Sequence, residues 1–337
     1  MSRISFFLFA ALAALSNVGC GSATHPAAGE HAAGARAREG ASAAPGAEER
    51  RALLLWRATP PGDSGRVVHL LGTVHVGDES FYPLDSELLS TFERSEALAV
   101  EVDLTGVEPE KLAREVMNRA LLPPGRTLDQ LVGPETWRRI SGEMKAVAAL
   151  APGLMRFEPW FAALTLLQMR LAEQGLRPEL GIDVHLMRRA AGRKPVVQLE
   201  SAESQLDILD SLPLEVQELM LIDALEGSLQ AGGELEELTS AWKSGDSRRL
   251  EDLLLRPIEE NPGLEPLWDA LFTDRNRFMA ERIRELSEIH DSLFVAVGAG
   301  HLLGEEGIGE LLEREDWTIE RANPSPEARA AARSRKP

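Results

Sequence analysis

The sequence predicts an α/β fold in which strands near both ends of one domain enclose a largely helical middle. Three observations carry this. Apolar runs of strand length cluster at the two ends of the folded region. The stretch between them is punctuated by prolines placed where helices begin, positions that suit a residue with no N–H and a fixed φ. Several of the strand-like runs are almost continuously apolar, as strands covered by helices on both faces would be.

In chain order, Leu53–Ala58 and Val67–Gly72 read as strands. They flank the turn cluster Thr59-Pro60-Pro61-Gly62-Asp63-Ser64-Gly65 and so predict a hairpin. A third strand is expected over Leu98–Asp103. Helices are expected from Pro134 to about Leu150, from Pro159 to about Glu173 and from Pro213 to about Leu229. The acidic stretch Gly233 to Leu238 reads as a helix start, with carboxylates at the end that favours them. A strand over Val196–Glu200 falls within this middle part. A helix over Glu265–Glu285, a strand over Leu293–Gly298, a helix over Glu305–Arg314 and a strand over Trp317–Arg321 complete the domain. This order is not one repeating βαβ array.

The ends carry a different message. Arg3, the apolar run Ile4 to Leu15 and Asn17-Val18-Gly19-Cys20 together read as a signal peptide over residues 1–20. A small residue just before the lone cysteine resembles a bacterial lipobox, which makes Cys20 the expected lipidation site; Asn17 stands where that box usually has an apolar residue, and ordinary secretion or an uncleaved anchor are the alternatives. Residues 21–50 are mostly Ala, Gly, Ser, Pro and charge, a composition that reads as a flexible tether. Residues 323–337, with Arg329, Arg333, Arg335 and Lys336 against Glu327, read as a disordered basic tail. The folded domain is thus expected over residues 51–322. Its expected location is the cell envelope, lipid-anchored on the outer membrane or periplasmic face, or secreted. The formal net charge of -18 argues against binding nucleic acid by neutralising phosphates. One cysteine in 337 residues allows neither an internal disulfide nor a thiolate metal cluster.

Two segments share a local grammar. Val67-Val68-His69-Leu70-Leu71-Gly72-Thr73-Val74-His75 and Leu293-Phe294-Val295-Ala296-Val297-Gly298-Ala299-Gly300-His301 are both apolar strands that end in Gly-x-x-His. The glycine lets another group approach the backbone. The histidine is then offered at the carboxyl end of a strand, where α/β sheets bind ligands. A third run, Ala97 to Asp103, is broken by Glu101, a charge that needs a partner or a metal if buried. Two imidazoles and a carboxylate suit a divalent ion with open coordination positions. Spacing alone leaves the plainer reading open, a structural histidine after each strand and a carboxylate in a salt bridge, because 226 residues separate His75 from His301. His69, His185 and His290 read as structural.

Two further motifs lack the context their chemistry needs. Gly62-Asp63-Ser64-Gly65 imitates the surroundings of a serine nucleophile but falls in the expected hairpin turn. Gly298-Ala299-Gly300 imitates a dinucleotide fingerprint, but Leu303 replaces the third glycine and only one strand follows.

The paired Gly-x-x-His motifs, with Glu101-x-Asp103 after the first, resemble the TraB/GumN family, which also contains the Tiki metalloproteases. Glu158-Pro159-Trp160, Gly181-Ile182-Asp183, Val197-Gln198-Leu199-Glu200, Arg275-Asn276 and Val297 through Gly304 fit the same ordered pattern. The resemblance implies a central sheet built from two related halves, of the EreA/ChaN-like kind, with a large helical insertion. It implies a metal-dependent peptidase acting on a peptide or protein, with His75, Glu101 and His301 around a divalent ion such as Mn, Co or Zn. On that reading Arg275 or Asn276 steadies the developing oxyanion, and Glu101 or Glu200 serves as general base. Two other classes stay open: an envelope protein that binds a metal, haem or peptide without turnover, and a regulator that titrates a peptide signal.

Overall fold

The computed structural model describes residues 53–62, 65–103, 106–146, 151–226 and 231–322. Cys20, the expected signal peptide, the tether and the basic tail lie outside the described residues.

Six strands form one sheet: β1 (Leu55–Thr59), β2 (Val67–Thr73), β3 (Ala97–Val100), β4 (Val196–Gln198), β5 (Ser292–Gly298) and β6 (Thr318–Arg321). Their order across the sheet is β4-β3-β5-β2-β1-β6. The first four of these run parallel to one another. β1 returns antiparallel to β2, which is the expected hairpin, and β6 pairs antiparallel with β1 at the edge. The two Gly-x-x-His strands are immediate neighbours, with Thr73 opposite Gly298.

Among the described residues the longer helices are α1 (Ser86–Arg94), α2 (Pro109–Ala120), α3 (Pro134–Ala146), α4 (Pro159–Glu173), α5 (Ile182–Ala190), α6 (Ala202–Asp210), α7 (Leu214–Glu226), α8 (Ala231–Ser244), α9 (Ser247–Glu260) and α10 (Asp274–Ile289), followed by the short α11 (Ile308–Glu313). Alternation along the strands divides the core. Phe294 and Ala296 face one way, with Leu71, Leu98 and Val100, against the helical middle. Leu293, Val295 and Val297 face the other way, against Met279 and Ile283 of α10 and Ile308 and Leu312 of α11. Both faces are covered at the centre of the sheet, which is why β3 and β5 after Ser292 are apolar throughout. A third, smaller cluster joins α8 and α9 to Leu54 and Leu303.

Four expectations change at their boundaries, each near the site described below. β3 ends at Val100 and β4 at Gln198, so Glu101 and Glu200 stand just beyond the strands rather than within them. The helix expected over Glu265–Glu285 is interrupted: one turn over Glu265–Trp268 and a π-helical turn over Asp269–Thr273 precede α10. Turns of this kind recur at functional sites because they re-aim the side chains that follow. Here they place Arg275 and Asn276 toward the ends of the strands. The helix expected from Glu305 starts only at Ile308, because Gly304 takes a left-handed φ of 76° and Gly307 precedes the first turn.

Candidate active site

The parallel strands β4, β3, β5 and β2 deliver their carboxyl ends to one buried polar cluster. Glu200 follows β4 and Glu101 follows β3. His301 lies in the 3-10 turn after β5 and His75 comes two residues after β2. The sequence placed all four at strand ends, and the sheet order makes those ends adjacent. Arg275 and Asn276 enter from the first turn of α10. Each of these six side chains is buried, His301 completely.

Glu101 is the centre. Its Oε1 accepts the Gly298 N–H at 2.7 Å and lies 3.4 Å from His75 Nε2. Its Oε2 accepts Arg275 Nη2 at 2.6 Å and lies 3.7 Å from His301 Nε2. Gln205 of α6 also reaches it, at 3.4 Å, while donating to Glu200 Oε1 at 2.9 Å. Glycine at 298 leaves room for this approach: a Cβ there would crowd His75 Nε2 at 3.1 Å and Glu101 Oε1 at 3.2 Å. Gly300 is equally constrained, since its Cβ would come within 2.5 Å of the Phe272 ring, which itself packs against His301.

Each imidazole is oriented through its other nitrogen. His75 Nδ1 lies 3.1 Å from Asp183 Oδ2 on α5. The segment before α5 is tied to the His75 loop by two backbone bonds between Gly77 and Arg177 and by Ile182 N–H donating to the Val74 carbonyl. His301 Nδ1 lies 2.6 Å from Asn276 Oδ1. Asn276 Nδ2 donates to the Glu306 carbonyl at 2.7 Å, which leaves its Oδ1 as the acceptor for the His301 Nδ1–H. With both Nδ1 atoms engaged, the two Nε2 atoms face Glu101, and neither has a hydrogen-bond partner although both are buried.

The electrostatics of the two rings diverge. Burial disfavours charge on His75, but Asp183 and Glu101 outweigh it and push the ring up to about 10. Burial pulls His301 down to about 3, with Arg275 and His75 adding to the fall and Glu101 opposing it. Burial also works against the Glu101 charge, yet His301, His75 and Arg275 hold its carboxyl well below the usual carboxylate range. Arg275 stays firmly charged against burial because Glu200 and Glu101 flank it.

Arg275 and Asn276 were expected to face a reacting carbonyl. In the structure their donors are already committed. Arg275 Nη1 donates to the Leu271 carbonyl at 2.9 Å, its Nε to Glu200 at 3.1 Å, and its Nη2 to Glu101 and Glu200. The Asn276 amide is used at both ends. Glu200 is held by Arg275 and Gln205 and touches neither histidine within hydrogen-bond range. Asp183 carries little signal in the sequence beyond the Gly181-Ile182-Asp183 motif, an acid one residue into a helix. Gln205 carried no signal at all.

The site suits a cation in its chemistry. Among the described residues no set of three or more His, Cys, Asp or Glu side chains stands in ready-made coordinating geometry. The donor set nevertheless fits a divalent ion: two imidazole Nε2 atoms lack partners and point at one carboxylate, and each ring is braced from behind as metal-binding histidines usually are. Three buried carboxylates gather at the site: Glu101 and Glu200 share the Arg275 guanidinium, and Asp183 faces His75.

The fold and site together define an α/β protein with a buried His–Glu–His centre at the carboxyl ends of parallel strands. The chain belongs to the TraB/PrgY/gumN family, whose model matches residues 54–321. It is 30% identical over 259 residues to the uncharacterized protein YbaP of Escherichia coli (strain K12), covering 75% of this chain and 90% of that protein. It is 24% identical over 303 residues to the metalloprotease TIKI1 of Danio rerio, covering 75% of this chain and 60% of that one. With the metalloprotease TIKI2 of Xenopus tropicalis the identity is 26% over 329 residues, covering 82% and 61%. No solved structure matches the chain.

Proposed function

We propose that this protein is a metal-dependent peptidase of the bacterial cell envelope, held there by a lipid on Cys20. The observation that carries the catalytic part is the pair of buried, partnerless Nε2 atoms on His75 and His301, both facing Glu101. The distant metalloprotease relatives support the same reading, as does the N-terminal sequence for the envelope. The parallel pairing of the two Gly-x-x-His strands supports a sheet made of two related halves.

His75, Glu101 and His301 would hold the ion, with Mn, Co or Zn as candidates. Such an ion, when bound, acidifies water and polarises a carbonyl. The chain's own residues do the rest. Asp183 and Asn276 fix the ring planes from the Nδ1 side, which leaves both Nε2 atoms aimed at the Glu101 carboxylate. Arg275 balances Glu101 and Glu200 and locks both carboxylates in place. Glu101 Oε1, 3.4 Å from His75 Nε2, is the base we favour for moving a proton. Burial excludes bulk water, which strengthens each of these interactions. Arg275 and Asn276 serve as positioning residues in this scheme, not as oxyanion donors.

The test is hydrolysis of a mixed peptide library by the full chain carrying Cys20→Ser, with and without Mn, Co or Zn. Cleavage that needs the ion and disappears in Glu101→Gln supports the proposal. Ion binding without cleavage of any peptide would favour the binding-protein reading instead.

A further inference from the structure

The helices α8 and α9 fold over the carboxyl ends of β2 and β5 and are anchored there by Trp242, whose Nε1 donates to the Gly72 carbonyl at 2.8 Å. Between this helix pair and the strand ends lies a narrow cavity of about 40 Å³ that reaches His75. Leu238, Leu250, Leu254 and Val74 give it apolar walls, and Thr73 and His75 line it as well. Gly298 and Gly300 also line it, so the backbone of the second Gly-x-x-His arm forms part of its surface.

Two polar atoms of this lining are out of place in so apolar a setting. Thr73 Oγ1 is buried and has no partner, and His75 Nε2 is the partnerless nitrogen at the centre. An unsatisfied buried hydroxyl is unfavourable for the folded state, by roughly 1–3 kcal/mol in general. A threonine here is therefore poorly explained by stability, since valine has the same shape. Burying the hydroxyl makes sense if a ligand completes it. The cavity is too small for an aromatic or a long charged side chain, and at about 10–15 Å³ for each water-sized sphere it has room for roughly three groups. That is the size of a short branched aliphatic side chain.

We infer that this cavity receives a small aliphatic side chain of the substrate, of valine or leucine size, beside the bond to be cleaved, and that the Thr73 hydroxyl hydrogen-bonds the backbone of that same substrate residue. The inference rests on the peptidase reading. It adds the substrate class and two specificity determinants, Thr73 and the α8–α9 face.

Binding can be measured without turnover. The full chain with Cys20→Ser is titrated with N-acetylvalinamide and, separately, with N-acetyl-lysinamide, while leucine and valine methyl NMR signals are followed. N-acetylvalinamide is expected to move the Leu238, Leu250 and Leu254 methyls, and the lysine amide to leave them in place. Thr73→Val is expected to raise the dissociation constant of the valine amide roughly three- to tenfold, the range of one hydrogen bond, while Tm holds or rises. Thr239→Phe, on the half-buried rim of the cavity, is expected to abolish the shifts with the fold intact. Equal shifts from both amides, or none from either, would overturn the inference. So would a Thr73→Val variant that loses Tm and keeps its affinity, because the hydroxyl would then be structural. Selective valine-amide binding in a protein that cleaves no peptide would keep the pocket and remove the peptidase reading. Cleavage indifferent to aliphatic side chains would do the reverse.

Discussion

The two Gly-x-x-His arms begin from the same local grammar and end in opposite electrostatic states. Both are apolar strands, both lie in the parallel part of the sheet, and both turn a histidine toward Glu101. His75 is braced by a carboxylate, Asp183, and is pushed up to about 10. His301 is braced by an amide, Asn276, and is pulled down to about 3 by its complete burial, with Arg275 adding to the fall. The lesson is that the strand motif positions a ring, while its surroundings decide its charge: the Asp183 and Glu101 carboxylates outweigh burial at His75, and burial prevails at His301. One arm favours a positive charge in the site and the other offers a neutral lone pair. A bound cation can satisfy both at once.

The comparison can be broken most severely at Arg275, the one guanidinium shared by the two sides. Arg275→Met leaves Glu101 and Glu200 buried without their cation. The expected cost is about 3–5 kcal/mol, the usual penalty for removing one partner of a buried pair, and it should appear as a lowered midpoint in urea unfolding. A midpoint within about 1 kcal/mol of the parent would mean the carboxylates find another partner.

Exchanging the braces sharpens it. Asp183→Asn should bring the His75 ring down and Asn276→Asp should bring the His301 ring up, both read by imidazole NMR titration of the metal-free protein. Asn276→Ala, which removes the brace, should weaken metal binding about 10–100-fold, as loss of such supporting residues commonly does. Ring titrations that ignore both exchanges would show that the brace does not set the charge.

The smallest effect lies on the first arm but outside the site. His69 sits opposite Arg57 in the β1–β2 pair and is lowered to about 4 by burial, then by Arg57 and Arg94. Its folded value lies below its unfolded value of about 6.5, so the folded state resists a proton that the unfolded chain accepts. Its contribution is complete above pH 6.5 and is lost as pH falls toward 4. Thermal melts of His69→Gln should lose part of the parent's decline over that window, by a few degrees at most.

Much of this arrangement was legible before any coordinates. His75, Glu101 and His301 stand out because each is a polar residue that ends or interrupts a nearly continuous apolar run. The six strands were legible for the same reason. What the sequence did not reveal is long-range. Asp183 meets His75 across 108 positions, and Gln205 meets Glu101 across 104, with no local pattern to link them. The π-helical turn Asp269–Thr273 reads as ordinary helix because its composition is ordinary, yet it aims Arg275. The oxyanion role expected of Arg275 and Asn276 could not be weighed without knowing which of their donors were already spent.

The central claim is that residues 226 positions apart build one cation site. The most direct measurement is metal bound per chain, by elemental analysis after loading with Mn, Co or Zn and gel filtration, for the Cys20→Ser protein and for His301→Ala in the same background. The account predicts close to one ion per chain in the parent and almost none in the variant, with circular dichroism unchanged. Equal metal in both proteins, or none in the parent under any loading, would contradict it.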